Sequence, residues 1–259
     1  MPFLPDARTP KGLRLYSIGD VHGCIGKLTT IHNWIEADLA ARPCPDYRII
    51  HLGDYVDRGP DSRACVEDIM TRVADRRIYA LYGNHEQQFL DFLGSADTEN
   101  FGTWITYGGL ATMQSYGVDL GGDPVYGAFD DLVQRAALRE QLLAAVPSEH
   151  INFLTTLPYI LRFGDYAFVH AGVRPGVDLD EQEVRDLTWI REPFLSASED
   201  LGAVVVHGHT PQRDIDMRSN RIGIDTGAVY GGPLTCLVLE EDRRAILLAG
   251  GPEPLAWRD

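Results

Sequence analysis

The sequence predicts an α/β fold with largely parallel strands at its core. Three strand–loop–helix units follow one another from residue 13 onward, and each strand runs into a Gly-Asp or Gly-Asn step. A helical middle segment is then followed by a return to β character. Strands alternating with helices in this way build parallel sheets, and open α/β sheets bind ligands just past the C-terminal ends of their strands.

Leu13–Ile18 reads as a short buried strand ending in Gly-Asp-Val-His-Gly. Ile25–Ala41 has helical spacing of Ile25, Leu28, Ile31, Ile35 and Leu39, and Pro43 and Pro45 stop it. A second strand is expected over 47–52 and a helix over about 61–73. A third strand over 78–82 ends in Gly-Asn-His-Glu, and a helix begins near His85. Residues from about 95 to 157 read as an inserted helical cap, with a Trp104, Tyr107, Gly108, Gly109 and Tyr116 cluster and a helix over about 132–146. Further strands are expected over 159–163, 167–169, 204–206, 221–224, 234–239 and about 245–248. The linkers are short, so 13–250 reads as one domain between a loose leader, 1–12, and a tail, 251–259.

Composition narrows the function. The chain has 259 residues, 44% hydrophobic and 24% charged, which is ordinary for a folded globular domain. With 38 acidic against 23 basic residues, the formal charge is −15. That balance repels nucleic-acid backbones and anionic membranes, so neither is expected as a partner. Bound cations can still draw phosphorylated substrates to a local site. Cys24, Cys44, Cys65 and Cys236 show no CxxC spacing, and reduced thiols in a cytoplasmic protein are expected. The N-terminus has no apolar run of signal-peptide type, and no stretch is apolar enough to span a membrane.

The chemistry is carried by five short motifs: Gly19-Asp20-Val21-His22-Gly23, Gly53-Asp54-Tyr55-Val56-Asp57-Arg58-Gly59, Gly83-Asn84-His85-Glu86, His170-Ala171-Gly172 and Gly208-His209-Thr210. Singly, each has a structural explanation: a helix cap, a core histidine, a tight turn. Together they bring six oxygen and nitrogen donors to strand ends, the set that two divalent cations require. Asp20 and His22 can grip one ion, Asn84, His170 and His209 another, and Asp54 is the natural bridge. Carboxylate, imidazole and amide donors suit manganese, iron or zinc better than calcium.

The motif set resembles the phosphoprotein-phosphatase branch of the calcineurin-like metallophosphoesterases, over roughly 14–239, and the bacterial and phage-type serine/threonine protein phosphatases most of all. Trp189-Ile190-Arg191 and the run from Ile224 to Tyr230 belong to the same likeness. The resemblance implies a four-layer α/β/β/α sandwich and a pair of divalent ions, Mn²⁺ first, with Fe, Zn or Ni as alternatives. It implies hydrolysis of phosphomonoesters by a hydroxide bridging the two ions, without a covalent intermediate. It assigns His85 as proton donor to the leaving oxygen, oriented by Asp57, and Arg58 and Arg191 as phosphate-binding residues. Tyr230 is a candidate for pocket lining or for ordinary packing.

The expected substrate is a phosphoprotein or phosphopeptide. The alternative within the same family is a symmetrical dinucleoside tetraphosphate hydrolase, or a broad-specificity phosphoesterase, acting on nucleotide polyphosphates. Such hydrolases typically lack the aspartate present here at Asp57, and their third motif usually ends in aspartate where this chain has Glu86. Those two residues direct the first reading to the protein-phosphatase side. A binding protein that kept the fold but not the chemistry would be expected to have lost a ligand or His85, and all are intact.

Overall fold

The computed structural model describes residues 3–96, 101–120 and 132–250, together with the backbone of 255–258. Parts of the expected cap (97–100 and 121–131), of the leader (1–2) and of the tail (251–254 and 259) lie outside the described residues.

The first half forms β1 (Leu13–Ile18), α1 (Ile25–Ala41), β2 (Asp46–His51), α2 (Ser62–Arg72), β3 (Ile78–Ala80) and α3 (Asn84–Gly94). The middle segment holds α4 (Phe101–Trp104), a kinked turn at Ile105–Gly109, α5 (Leu110–Ser115), α6 (Leu132–Ala145) and α7 (Ser148–Thr155). The second half forms β4 (Ile160–Phe163), β5 (Tyr166–Val169), α8 (Val184–Trp189), β6 (Val204–His207), β7 (Asp216–Met217), β8 (Arg221–Gly223), β9 (Leu234–Glu240), β10 (Arg243–Ala249) and β11 (Leu255–Arg258).

Two mixed sheets result, one in the order β11-β10-β9-β1-β2-β3 and the other β4-β5-β6-β8-β7. Side chains alternate across each strand, and the alternation sorts them into layers. Leu13 and Leu15 of β1 and Leu237 and Leu239 of β9 meet Tyr166, Phe168, Val204, Val206 and Ile222 between the sheets. Tyr16 and Ile18, and Cys236 and Val238, turn the other way under α1, α2 and α3. Ala167, Val169 and Val205 face outward against Leu187 of α8 and Phe194. The result is the helix–sheet–sheet–helix sandwich expected of the fold.

Register is what builds the site. β1, β2 and β3 are parallel, with Ile18 paired to His51 and His51 to Ala80, so their C-terminal ends lie in one row. β5, β6 and β8 are parallel in the second sheet, with Phe168 paired to Val206 and His207 to Gly223.

Several expectations need correction. Residues 3–12 are not loose: Leu4 and Ala7 are buried in the layer between the sheets, and the Leu4 N–H donates to the Ser219 carbonyl at 2.6 Å. The third strand ends two residues early, because the Tyr82 N–H turns away to the Pro158 carbonyl. The helix expected over 132–146 ends at Ala145, and Pro147 starts the unforeseen α7. α8, the two-residue β7 and β11 were not expected, being too short or too weakly patterned to show a period.

Candidate metal centre

Each strand-end loop is stitched to its neighbour before any ion is considered. The Val21 and His22 N–H groups donate to the Asp54 carbonyl, at 3.1 and 2.8 Å. The Glu86 carboxylate is fully buried and accepts from the N–H groups of Asp54, Tyr55 and Gly83 at 2.8, 2.7 and 3.0 Å, tying the loops after β2 and β3 together. Burial and the nearby Asp54 push its pKa up to about 8. Among the described residues, six non-glycine positions have positive φ, and five of them are His22, Asp54, Asp57, Arg58 and His209. Strain gathered on the motif residues is what a fold tolerates when position matters more than stability.

Two buried triads share one carboxylate: His22–Asp54–His85 and Asp54–His170–His209, with potential ligand atoms within 4.8 Å of one another in each. Asp54 Oδ2 lies 3.5 Å from His22 Nε2 and 3.9 Å from His85 Nε2, whereas Oδ1 lies 3.3 Å from His170 Nε2. Asp54 therefore stands where the bridging role requires. Asn84 Oδ1 completes the second triad, 2.8 Å from both His170 Nε2 and His209 Nδ1.

The donor chemistry of this cluster fits cations. His22 Nδ1 lies 2.9 Å from the Val56 carbonyl and His170 Nδ1 2.9 Å from that of Leu52. With Nδ1–H donating to those carbonyls, Nε2 of each ring is left as a lone pair facing the centre. The His170 lone pair, the Asn84 amide oxygen and the Asp54 carboxylate thus converge in a buried space, which is unfavourable unless positive charge lies between them, while the His22 lone pair already faces the Arg58 guanidinium. Burial lowers the pKa of His22, His170 and His209, keeping these rings neutral as metal ligation demands. Burial alone would raise the pKa of Asp54, but the surrounding imidazoles of His170, His85, His22 and His209 hold it below the ordinary carboxylate range.

Asp20 stands beside the two triads. Its carboxylate accepts the His209 backbone N–H, at 3.2 Å from Oδ1 and 3.0 Å from Oδ2, and it lies outside both triads. It faces Asp225, a residue given no role from the sequence. Burial, then Asp225 and Asp54, raise the pKa of Asp20, while burial pushes Asp225 up to about 6. Two buried carboxylates side by side add to the demand for cations. The signal for Asp225 was present: like Asp20 and Asp54, it stands just past a strand end.

His85 differs from the other rings of the cluster in favouring its charged form. Its Nδ1 is 2.6 Å from Asp57 Oδ2, which leaves Nε2 toward the centre. Burial works against its charged form, but Asp54 and the hydrogen-bonded Asp57 outweigh burial and raise its pKa. Asp57 itself is fully enclosed. It accepts from Trp104 Nε1 at 2.9 Å and from the Thr112 hydroxyl at 2.5 Å. These two donors come from the middle segment and were not foreseen.

Arg58 Nη1 lies 2.5 Å from His22 Nε2, and its guanidinium carbon is 5.5 Å from the centre of the Tyr230 ring. Tyr230 is exposed, on a turn held by Lys27 Nζ, which donates to the Ala228 and Gly232 carbonyls at 2.6 Å each. Arg191 is exposed beyond α8, near enough for its charge to oppose protonation of His209. His207 points away from His209, into the outer layer beside Phe194.

A profile of the calcineurin-like phosphoesterases matches residues 13–251, and the chain belongs to that family. Within it, the chain is 26% identical over 240 residues to a bis(5'-nucleosyl)-tetraphosphatase PrpE [asymmetrical] of Bacillus cereus (strain AH820), covering 85% of this chain and 88% of the relative. A protein of the same name from Anoxybacillus flavithermus (strain DSM 21510 / WK1) is 26% identical over 239 residues, with the same coverage. A crystal structure provisionally described as a diadenosine tetraphosphatase superposes with a TM-score of 0.59 at 22% identity, covering 90% of this chain and 93% of that one. A cold-active protein tyrosine phosphatase gives a TM-score of 0.60 at 17% identity, covering 98% of this chain and 81% of that one. These two show the fold alone. No helix among the described residues is long and apolar enough to cross a membrane.

Proposed function

We propose that the protein hydrolyses dinucleoside tetraphosphates and related nucleoside polyphosphates, using two divalent ions held by His22, Asp54, Asn84, His170 and His209, with Asp20 adjoining. The observation that carries this reading is the pairing of an intact motif set with relatives along most of the chain that are named for this activity. It replaces phosphoserine and phosphothreonine as the first substrate class. The relatives are named for asymmetrical rather than symmetrical cleavage, so AMP and ATP are the products expected from diadenosine tetraphosphate.

The ions, when bound, neutralise phosphoryl charge and lower the barrier to attack by water on phosphorus. The chain does the rest. Arg58 grips phosphoryl oxygens with a planar guanidinium whose position is fixed beside His22. Arg191 supplies further positive charge at the His209 side. His85 Nε2 donates a proton to the departing oxygen, and Asp57 holds the ring and favours its charged form. Trp104 and Thr112 hold Asp57 in turn.

The test is a side-by-side assay of the Mn²⁺-loaded protein on diadenosine tetraphosphate and on a phosphoserine/phosphothreonine peptide. A higher kcat/KM on the dinucleotide, with AMP and ATP resolved chromatographically, supports the reading. A clear preference for the peptide overturns it. Asp57, paired with His85, and Glu86 favour the peptide, since dinucleotide hydrolases of this fold typically lack that aspartate and usually end the third motif in aspartate. Exhaustive chelation is expected to abolish activity and Mn²⁺ to restore it; full activity in protein shown metal-free by elemental analysis contradicts the two-ion mechanism.

A further inference from the structure

The middle segment turns one aromatic ring outward at the centre. Phe101, Trp104 and Tyr116 are buried in the layer above the first sheet, but Tyr107 is 48% exposed. Its ring centre is 6.4 Å from that of His85, edge to face at 77°. The turn Ile105–Gly109 produces this placement, because a kink with non-helical backbone interrupts the helices there. Its hinge is Gly108, at φ +110°, whose carbonyl accepts the Arg58 N–H at 3.1 Å. A Cβ on Gly108 would come within 2.4 Å of the Arg58 nitrogen, so only glycine allows the segment to dock this closely. Tyr107 is thus held by a backbone contact to the residue that grips phosphate, and it stands beside the residue that protonates the departing group.

A rigid phenol ring exposed at a phosphate site presents a flat apolar face that neither phosphate nor ribose uses, whereas a nucleobase does. We propose that Tyr107 is a stacking platform for the base of a nucleotide whose phosphate lies at the metal centre. This rests on the nucleoside-polyphosphate reading above and names the part of the substrate that the motifs leave unrecognised. Tyr107 is a specificity residue in this account, not a catalytic one.

The experiment measures binding of AMP and of ribose 5-phosphate to Mn²⁺-loaded protein by calorimetry. The two ligands share the phosphate and sugar and differ in the base. Wild-type protein is expected to bind AMP roughly tenfold more tightly. Tyr107→Ala and Tyr107→Leu are expected to erase that preference by weakening AMP alone, and Tyr107→Trp to retain it. The leucine variant keeps apolar bulk without a planar face, so it separates stacking from simple burial. The platform is overturned if wild-type protein shows no preference for AMP. It is equally overturned if the alanine and leucine variants keep the preference, or if both ligands weaken together. Should wild-type protein prefer AMP and lose that preference on substitution, yet leave diadenosine tetraphosphate intact, the platform stands and the proposed substrate falls.

Discussion

The two triads that meet at Asp54 are assembled in different ways. His22, Asp54 and His85 hang from consecutive parallel strands of one sheet, and short loops suffice to bring them together. The second triad takes Asp54 from the first sheet and His170 and His209 from the other, so its geometry depends on how the two sheets pack. The first is secured by hydrogen bonds between neighbouring loops of one sheet, the second by the apolar layer of Phe168, Val206, Ile222 and Leu237 together with hydrogen bonds from His170 to Leu52 and from His209 to Asp20. Proximity in the chain builds one half of the centre, and core packing builds the other.

Removing the shared residue breaks both halves at once. Asp54→Asn is expected to lower kcat/KM by on the order of 10³-fold, with manganese content falling in elemental analysis. A variant that keeps its full manganese content and rate removes Asp54 from the centre. His85→Ala tests the first triad alone, with an expected loss of about 10²-fold on alkyl phosphoesters and less on p-nitrophenyl phosphate, whose leaving group needs no proton. An equal loss on both substrates argues against His85 as the proton donor.

A smaller effect comes from behind the first triad. Trp104→Phe removes the N–H that Asp57 accepts along with part of a fully buried ring, and a rate loss of about tenfold is expected beside a stability loss of about 1–3 kcal/mol. A loss confined to stability would make Trp104 a packing residue only. The smallest effect tests the second triad. Ile222→Val in the layer between the sheets is expected to cost about 1 kcal/mol of stability, read by urea denaturation, and to weaken manganese binding through His170 and His209. If manganese affinity is unmoved while stability falls, the packing of the sheets does not set that triad.

Legibility in the sequence followed the same division. β1, α1 and the strand-end motifs were readable because strand and helix periods change over at Gly-Asp and Gly-Asn steps, and because the residues that do the chemistry sit within those steps. Asp54, His22, Asn84, His170 and His209 came together as expected. Asp20 lies outside both triads, and its carboxylate accepts the His209 N–H, a partner 189 positions away that no local pattern announces. Trp104 and Thr112 were unreadable as supports of Asp57 for a similar reason. They act through hydrogen bonds across 47 and 55 residues, and either would serve equally well as an ordinary core residue. The substrate was least legible, since the motifs encode the handling of phosphorus and say little about what is attached to it.

Arg58 shows where that missing information is stored. Its main chain is tied to Gly108 and its guanidinium lies over Tyr230, so three stretches remote in sequence converge on one arginine beside the centre. A change of length or composition in the middle segment reaches Arg58 through Gly108, and its neighbour Asp57 through Trp104 and Thr112, without altering His22, Asp54, Asn84, His170 or His209. A lineage of such proteins can therefore exchange one ester for another by editing the insert alone, and chains with identical motifs can diverge in diet while sharing the same chemical engine.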